Sequence, residues 1–272
     1  MLSDINAYNT IVSLIKKNKC DEAIVTINQY NGLCERIRNS TGNNLLHVAC
    51  LYNRENVAKM LFNKKCSTEL NDDEYTPLYY CSMNNNDQLC EFFIKNGIIP
   101  DTLTYFNACK MCDIRFIKTL FVRKSSFNMT NTVNQNLLIH ALKHKRSYKI
   151  IDYISNKCDL NHIDIYHATP MHYACRCLRA GYENVLRLLA KKGGDIVIRD
   201  KTDQSPIDYI KDIGLKSEII GLCRKYARYY RRRNFMMFLS QYNFLSGTHN
   251  SEKLYVKIFG LPDIYKQIMK YL

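Results

Sequence analysis

Apolar residues in this chain recur at i, i+3 and i+4 in short helical bursts that come in pairs, with polar loops between them. Five segments share one opening pattern: Asn44-Leu-Leu-His47-Val-Ala-Cys50, Thr76-Pro-Leu-Tyr79-Tyr-Cys-Ser82, Asn136-Leu-Leu-Ile-His-Ala-Leu142, Thr169-Pro-Met-His172-Tyr-Ala-Cys175 and Ser205-Pro-Ile-Asp208. Their first residues lie 32, 60, 33 and 36 apart, and the long interval hides a degenerate copy at Leu103-Thr-Tyr-Phe-Asn-Ala-Cys109. Segments such as Val57–Leu61, Leu89–Phe93, Ile150–Ile154 and Val185–Leu189 follow and place their apolar residues on one helix face. Thr-Pro starts a helix well, since Thr caps it and Pro is tolerated at the first helical position. Ala49, Ala108, Ala141 and Ala174 hold a small-residue slot that lets two helices approach closely, and Gly97 and Gly193 fall where a helix ends. A pair of such helices cannot cover its own apolar face, so neighbouring pairs must stack.

Period, capping residue and small-residue slot together resemble the ankyrin family, with Thr169-Pro-Met-His172 and Gly193-Gly-Asp195 as the best copy. The resemblance implies an all-α ankyrin-repeat solenoid of about six repeats, counting divergent ones, over residues 39–222. Finger loops are expected near Ser40–Gly42, Asp72–Tyr75, Val133–Gln135, Asp164–His167 and Asp200–Gln204. Residues 1–38 carry two further apolar stripes, on Ile11, Leu14 and Ile15 and on Ala23, Ile24 and Ile27, and read as a divergent N-terminal cap.

Composition narrows the rest. Apolar residues make up 46% of the 272, enough for a core, and no run of about 20 of them suggests a membrane span. The N-terminus, with Asp4 and no basic region before an apolar run, does not read as a signal peptide. The twelve cysteines are scattered through apolar segments, which points to buried free thiols in a reducing compartment, and the sequons at Asn39 and Asn128 read as chance matches.

Candidate chemistry is thin. Cys109-X-X-Cys112 and His172-X-X-Cys175-X-Cys177 have the look of metal ligands, but Cys109 and Cys175 occupy slots that pack between helices, so no metal is expected. His140 and His144 share a helix face without the Glu of a metalloprotease motif and read as a solvated stripe. No phosphate loop, dinucleotide fingerprint or nucleophile elbow occurs. The expectation is a non-enzyme with no cofactor.

The formal charge of +14 is uneven: residues 216–272 hold eleven Lys/Arg against three Asp/Glu. Arg224-Lys-Tyr-Ala-Arg228-Tyr-Tyr-Arg231-Arg-Arg233 admits a phosphate-tracking surface, a nuclear-import signal, or a helix that caps the last repeat with its arginines in water. Nucleic acid is not the expected partner.

Residues 223–272 form a separate unit. Pro262 opens a terminal helix whose Ile264, Ile268, Tyr271 and Leu272 make one stripe, with Asp263 favourable to its dipole. Arg232-Arg-Asn-Phe-Met-Met-Phe-Leu239, Phe244-Leu245 and Leu261-Pro…Ile268-Met-Lys-Tyr-Leu272 resemble the PRANC or F-box-like module that ends poxviral ankyrin-repeat proteins. Asp263 stands at the acidic position of a Leu-Pro opening one residue shorter than that module's usual one. The resemblance implies a viral host-interaction protein of the host cytoplasm and possible nuclear presence. Its array would bind a host target and its C-terminus a Skp-family adaptor of a cullin ubiquitin ligase. Leu261, Pro262, Asp263, Ile264, Ile268, Tyr271 and Leu272 would be the adaptor contacts. An alternative is a scaffold that sequesters a signalling protein without a ligase. Target contacts are expected on finger residues Asp72, Asp73 and Glu74 and on exposed Tyr79, Tyr80 and Tyr173, since tyrosines are frequent hot spots.

Overall fold

The computed structural model describes residues 2–226, apart from 31, 34–36, 123–126, 128 and 179–180. Twelve α-helices are paired antiparallel: α1 (Leu2–Lys16) with α2 (Cys20–Gln29), α3 (Leu45–Leu51) with α4 (Glu55–Asn63), α5 (Pro77–Met83) with α6 (Asp87–Lys95). Then come α7 (Thr102–Met111) with α8 (Ile114–Leu120), α9 (Leu137–Lys143) with α10 (Tyr148–Ser155), and α11 (Pro170–Arg176) with α12 (Glu183–Lys191). A 3-10 turn, Pro206–Tyr209, and a helix over 213–226 follow. Within each pair one helix is inner and one outer, and each layer packs on its neighbour in the next pair. No strand is present among the described residues; one isolated bridge joins Thr130 to Asn136.

The residue before each inner helix is its cap. Asn44 accepts from the His47 amide at 3.0 Å, Thr76 from Tyr79 at 3.1 Å, Asp101 from Thr104 at 2.6 Å and Asn136 from Ile139 at 2.9 Å. These side chains satisfy backbone donors that helix geometry leaves unpaired. The degenerate repeat is thus a true one, but its cap is Asp101, two residues before the Leu103 opening expected from the pattern, with Thr102 where other repeats have Pro.

The core runs unbroken along the array. Ala49, Ala108, Ala141 and Ala174 are fully buried between the helices they separate, as the small-residue slot requires. Ile11 and Ile15 of α1 are equally buried, and the N-terminal pair packs on the helix pair that follows it. At the other end Ile219 and Cys223 pack into the same core. Gly97 and Gly193 have φ of 95° and 94°, in the left-handed region expected of helix-ending glycines.

Ten described cysteines are free thiols and eight of those are buried. Cys66 departs from the sequence expectation: it is disulfide-bonded. Spacing along the chain gave no sign of this, because only the fold brings its sulfur to a partner. No helix among the described residues is long and apolar enough to cross a membrane.

Candidate functional site

Five loops project from the array on the side of the inner helices, and each is closed by the same device. An Asn or Asp five residues before the helix cap accepts two backbone N–H groups through one oxygen, from the residues two and four places on. Asn39 takes Thr41 and Asn43 at 3.0 and 2.8 Å, and Asn71 takes Asp73 and Tyr75 at 3.0 and 2.8 Å. Asn131 takes Val133 and Gln135 at 3.1 and 2.8 Å, Asp164 takes Tyr166 and Ala168 at 2.9 Å each, and Asp200 takes Thr202 and Gln204 at 2.8 and 3.2 Å. The fourth residue of each loop, Gly42, Glu74, Asn134, His167 or Asp203, has a positive φ between 53° and 71°. Side-chain acceptors that pair with backbone two residues on are the usual reason Asn and Asp favour turns.

Successive fingers are tied by one backbone bond at a fixed step. The Asp72 amide donates to the Thr41 carbonyl, Ile165 to Val133 and Lys201 to Tyr166, at 3.2, 3.3 and 3.0 Å. The fingers therefore form a ribbon whose tips face outward, with Asp72, Asp73 and Glu74 exposed on the second.

The expected tyrosines are placed differently. In three of the five loops a tyrosine stands nine residues after the loop-closing Asn or Asp, and its hydroxyl returns to that side chain. Asn71 Nδ2 donates to Tyr80 Oη at 3.1 Å, Tyr173 Oη donates to Asp164 Oδ2 at 2.6 Å, and Tyr209 Oη to Asp200 Oδ2 at 2.6 Å. Tyr80 is buried, against the expectation of an exposed contact, because its hydroxyl is needed inside, between Asn71 and Asn43. Tyr173 is half-buried; burial and its bond to the Asp164 carboxylate push its pKa up. Tyr79 is half-buried and stacks on Tyr75 with ring centres 4.2 Å apart. All three brace the fingers from behind. Sequence reasoning named Tyr80 and Tyr173 as target contacts and missed their tie to the loop-closing Asn or Asp, although the Asn/Asp residues repeat at the same 32, 60, 33 and 36 intervals as the helix openings.

The last finger is the most heavily braced. Asp200 is buried; Arg176 Nη2 donates to its Oδ2 at 2.7 Å, and the guanidinium carbon of Arg176 lies 4.6 Å from the centre of the Tyr209 ring. Burial raises the Asp200 pKa, but the Tyr209 and Thr202 hydroxyls and two backbone amides outweigh it and hold the carboxyl well below the usual range.

The histidines serve the same frame. His172 Nδ1 accepts from the Thr169 amide at 3.0 Å, so Nε2 carries the proton and donates to the Gln204 carbonyl at 3.1 Å. His47 Nε2 sits 3.0 and 3.2 Å from the Glu69 and Tyr75 carbonyls. Burial lowers its pKa to about 4, although those carbonyls oppose the shift. His140 occupies the tyrosine slot of its repeat. It is no solvated stripe: its ring lies edge-on to Phe106 at 5.0 Å and 4.6 Å from His144, and burial lowers its pKa to about 4.

Cys109 and Cys112 are buried between helices, with the Cys112 thiol on the Ser82 carbonyl at 3.0 Å. No group of three or more His, Cys, Asp or Glu suited to a metal ion occurs among the described residues. Leu261, Pro262, Asp263, Ile264, Ile268, Tyr271 and Leu272 lie outside the described residues, as does the basic run beyond Tyr226.

Comparison with known proteins agrees with this geometry. The family model for ankyrin repeats matches residues 5–103 and 106–200, well over half of the chain. No curated protein matches the chain. Among solved structures it is similar to the ankyrin repeat domain of Bcl-3, a member of the IkappaB protein family, with a TM-score of 0.63 at 16% identity over 79% of this chain and 97% of that one. The human ASB11 ankyrin repeat domain gives 0.63 at 15% identity, covering 78% of this chain and 96% of that domain. A chain from the Bdellovibrio bacteriovorus complex of a predatory endopeptidase with an immunity protein gives 0.57 at 18% identity, over 67% of this chain and 97% of that one. At such identities these likenesses establish the fold alone. Stacked helix pairs, finger loops and the family match together place the chain in the ankyrin-repeat family, whose fold is typically a non-enzymatic scaffold for protein–protein interaction.

Proposed function

We propose that the array captures a host target protein on its fingers while residues 223–272 recruit a Skp-family adaptor and its cullin ubiquitin ligase, in the host cytoplasm. The observation that carries the capture half is the rigid finger ribbon: five loops locked at their bases leave the tips free to differ. Function on a repeat scaffold resides in such loops, whose sequence varies without cost to the core. The ligase half rests on the resemblance of Leu261-Pro262 and the following Ile264, Ile268 and Leu272 to the F-box-like module, and so does the viral setting. A terminal helix of about ten residues needs a surface to bury its stripe, since it is marginal alone.

Affinity-tagged full-length chain expressed in host cells tests both halves. Adaptor and cullin are expected to co-purify, and Ile264→Asp with Ile268→Asp removes them, because each buried aliphatic side chain contributes about 1.5–3 kcal/mol. Target capture survives that change and is weakened instead by Asp72→Lys, Asp73→Lys and Glu74→Lys. If the target co-purifies while adaptor and cullin never do, the ligase half is wrong and the chain sequesters its target. If the terminal substitutions lower the melting temperature of the array but spare adaptor binding, the helix is a cap.

A further inference from the structure

The finger ribbon has a break. Between Asn71–Tyr75 and Asn131–Gln135 the chain passes from α6 to the Asp101 cap of α7 through residues 96–100, with no finger. Elsewhere the third residue of one finger offers its carbonyl to the amide of the second residue of the next. At the break those two groups are the Asp73 carbonyl and the Thr132 amide. Both residues are exposed, and neither group bonds to any described residue.

What surrounds the break is not ordinary loop surface. Ile99, in the loop that stands in for a finger, is 87% exposed, Leu103 just after that loop 43%, and Leu70, just before the second finger, 50%. A cavity of about 260 Å³, walled by Pro77, Phe93 and Ile98 among others, opens next to Ile99. On one flank lie the exposed carboxylates of Glu69, Asp72, Asp73 and Glu74, on and just before the second finger. Of these only Glu69 meets a cation among the described residues, with Arg38 at 3.9 Å.

The geometry points to the break as a docking site for a basic, turn-forming loop of a protein partner, which takes the place of the missing finger. This deepens the capture reading above and rests on it. The inserted loop offers a backbone amide to Asp73 and a carbonyl to Thr132, continuing the ribbon as an added strand continues a sheet edge. An apolar residue of the loop covers Ile99 and enters the cavity, which accounts for apolar surface otherwise left in water. Lysine or arginine beside it meets the acidic flank, and this charge pairing selects the partner and speeds encounter. An acidic or purely apolar loop meets repulsion or unpaired carboxylates instead.

The test uses the whole chain and a defined probe: a disulfide-cyclised twelve-residue hairpin peptide with lysines at its turn and isoleucines in its arms. Saturable binding below about 1 mM is expected by calorimetry, weakening with salt, and the glutamate counterpart should bind at least about tenfold more weakly. Inserting a copy of residues 71–75 before Asp101 fills the break with a finger of the chain's own and is expected to abolish binding. Because an insertion can misfold, Ile99→Asp serves as the second variant, with an unchanged melt and at least about a tenfold loss of affinity. No binding by the native chain, or equal binding by a folded filled-in chain or by the Ile99→Asp chain, overturns the inference. Capture of a cellular target is read separately by pull-down, so a failed peptide experiment leaves that reading standing.

Discussion

Gly42 is where the ribbon is tightest. Its φ is +71°, and a Cβ built there would lie 2.4 Å from Asp72 Oδ1 and 2.7 Å from the Asp72 backbone nitrogen. The exposed Asp72 carboxylate can swing aside, but its amide cannot, because it donates to the Thr41 carbonyl across the same gap at 3.2 Å. Gly42→Ala therefore costs the left-handed strain of a Cβ, about 1–2 kcal/mol, and in addition pushes the second finger away from the first. Losing that bond adds about 1 kcal/mol, and the Asn71–Asn43 side-chain bond at 2.9 Å loosens with it. The fingers holding Asn134 and His167 at the same step keep that bond, at 3.3 and 3.0 Å, with a Cβ present. The first pair is therefore expected to relax toward their geometry rather than unfold, and about 1 kcal/mol is the upper bound for the bond. The sum is about 2–3 kcal/mol, roughly 5–10 °C in Tm for a chain of this size. Gly97 is the control: its φ is +95°, and a Cβ there meets nothing within 4 Å, so Gly97→Ala costs the strain alone. Asparagine, which tolerates left-handed backbone, should rescue position 97 and not position 42. Urea melts rank the variants, and hydrogen exchange on peptides covering 39–43 and 71–75 locates the loss. Equal destabilisation by Gly42→Ala and Gly97→Ala, or unchanged protection at the Asp72 amide, would refute the close-approach argument.

Three further outcomes concern the last finger and the buried histidines. Asp200→Asn keeps the acceptor that closes the last finger but faces Tyr209 and Arg176 with a donor. A loss of about 2–3 kcal/mol is expected by thermal melt, below the usual range for a broken buried pair because Arg176 is partly exposed. Asp203→Asn, on an exposed surface pair with Arg199, should change stability by less than about 0.5 kcal/mol. Acid should weaken the array: His47, His140 and His172 all have folded-state pKa values below their ordinary value, so the unfolded chain binds more protons. Their stabilisation is complete above about pH 6.5 and drains away toward pH 4, His47 alone accounting for roughly 3 kcal/mol. Melts at intervals from pH 7.5 to 4.5 should show this slope, and His47→Gln should flatten it; a flat native profile would contradict the burial.

The helix pairs were legible in the sequence because their causes are local. A capping residue, a small residue five places on in the regular copies and an i, i+3, i+4 stripe act within one turn or two, so Thr76, Ala141 and Val185 announce their roles unaided. The divergent copy was legible from the period, but its register was not: the pattern opened it at Leu103, and the helix cap stands two residues earlier, at Asp101. The finger positions were also readable, since polar loops must fall between paired helices. What joins one repeat to the next was not. Tyr80 reads as a binding residue until the fold sets its hydroxyl between Asn71 and Asn43, 9 and 37 residues away. His140 reads as solvated until Phe106 of the preceding repeat covers it. The break in the ribbon appears only when the Asp73 carbonyl and the Thr132 amide are found facing a place where no finger stands. Hydrogen bonds and burial of this kind depend on distance in space, and only the stacking of the repeats decides which distant residues meet.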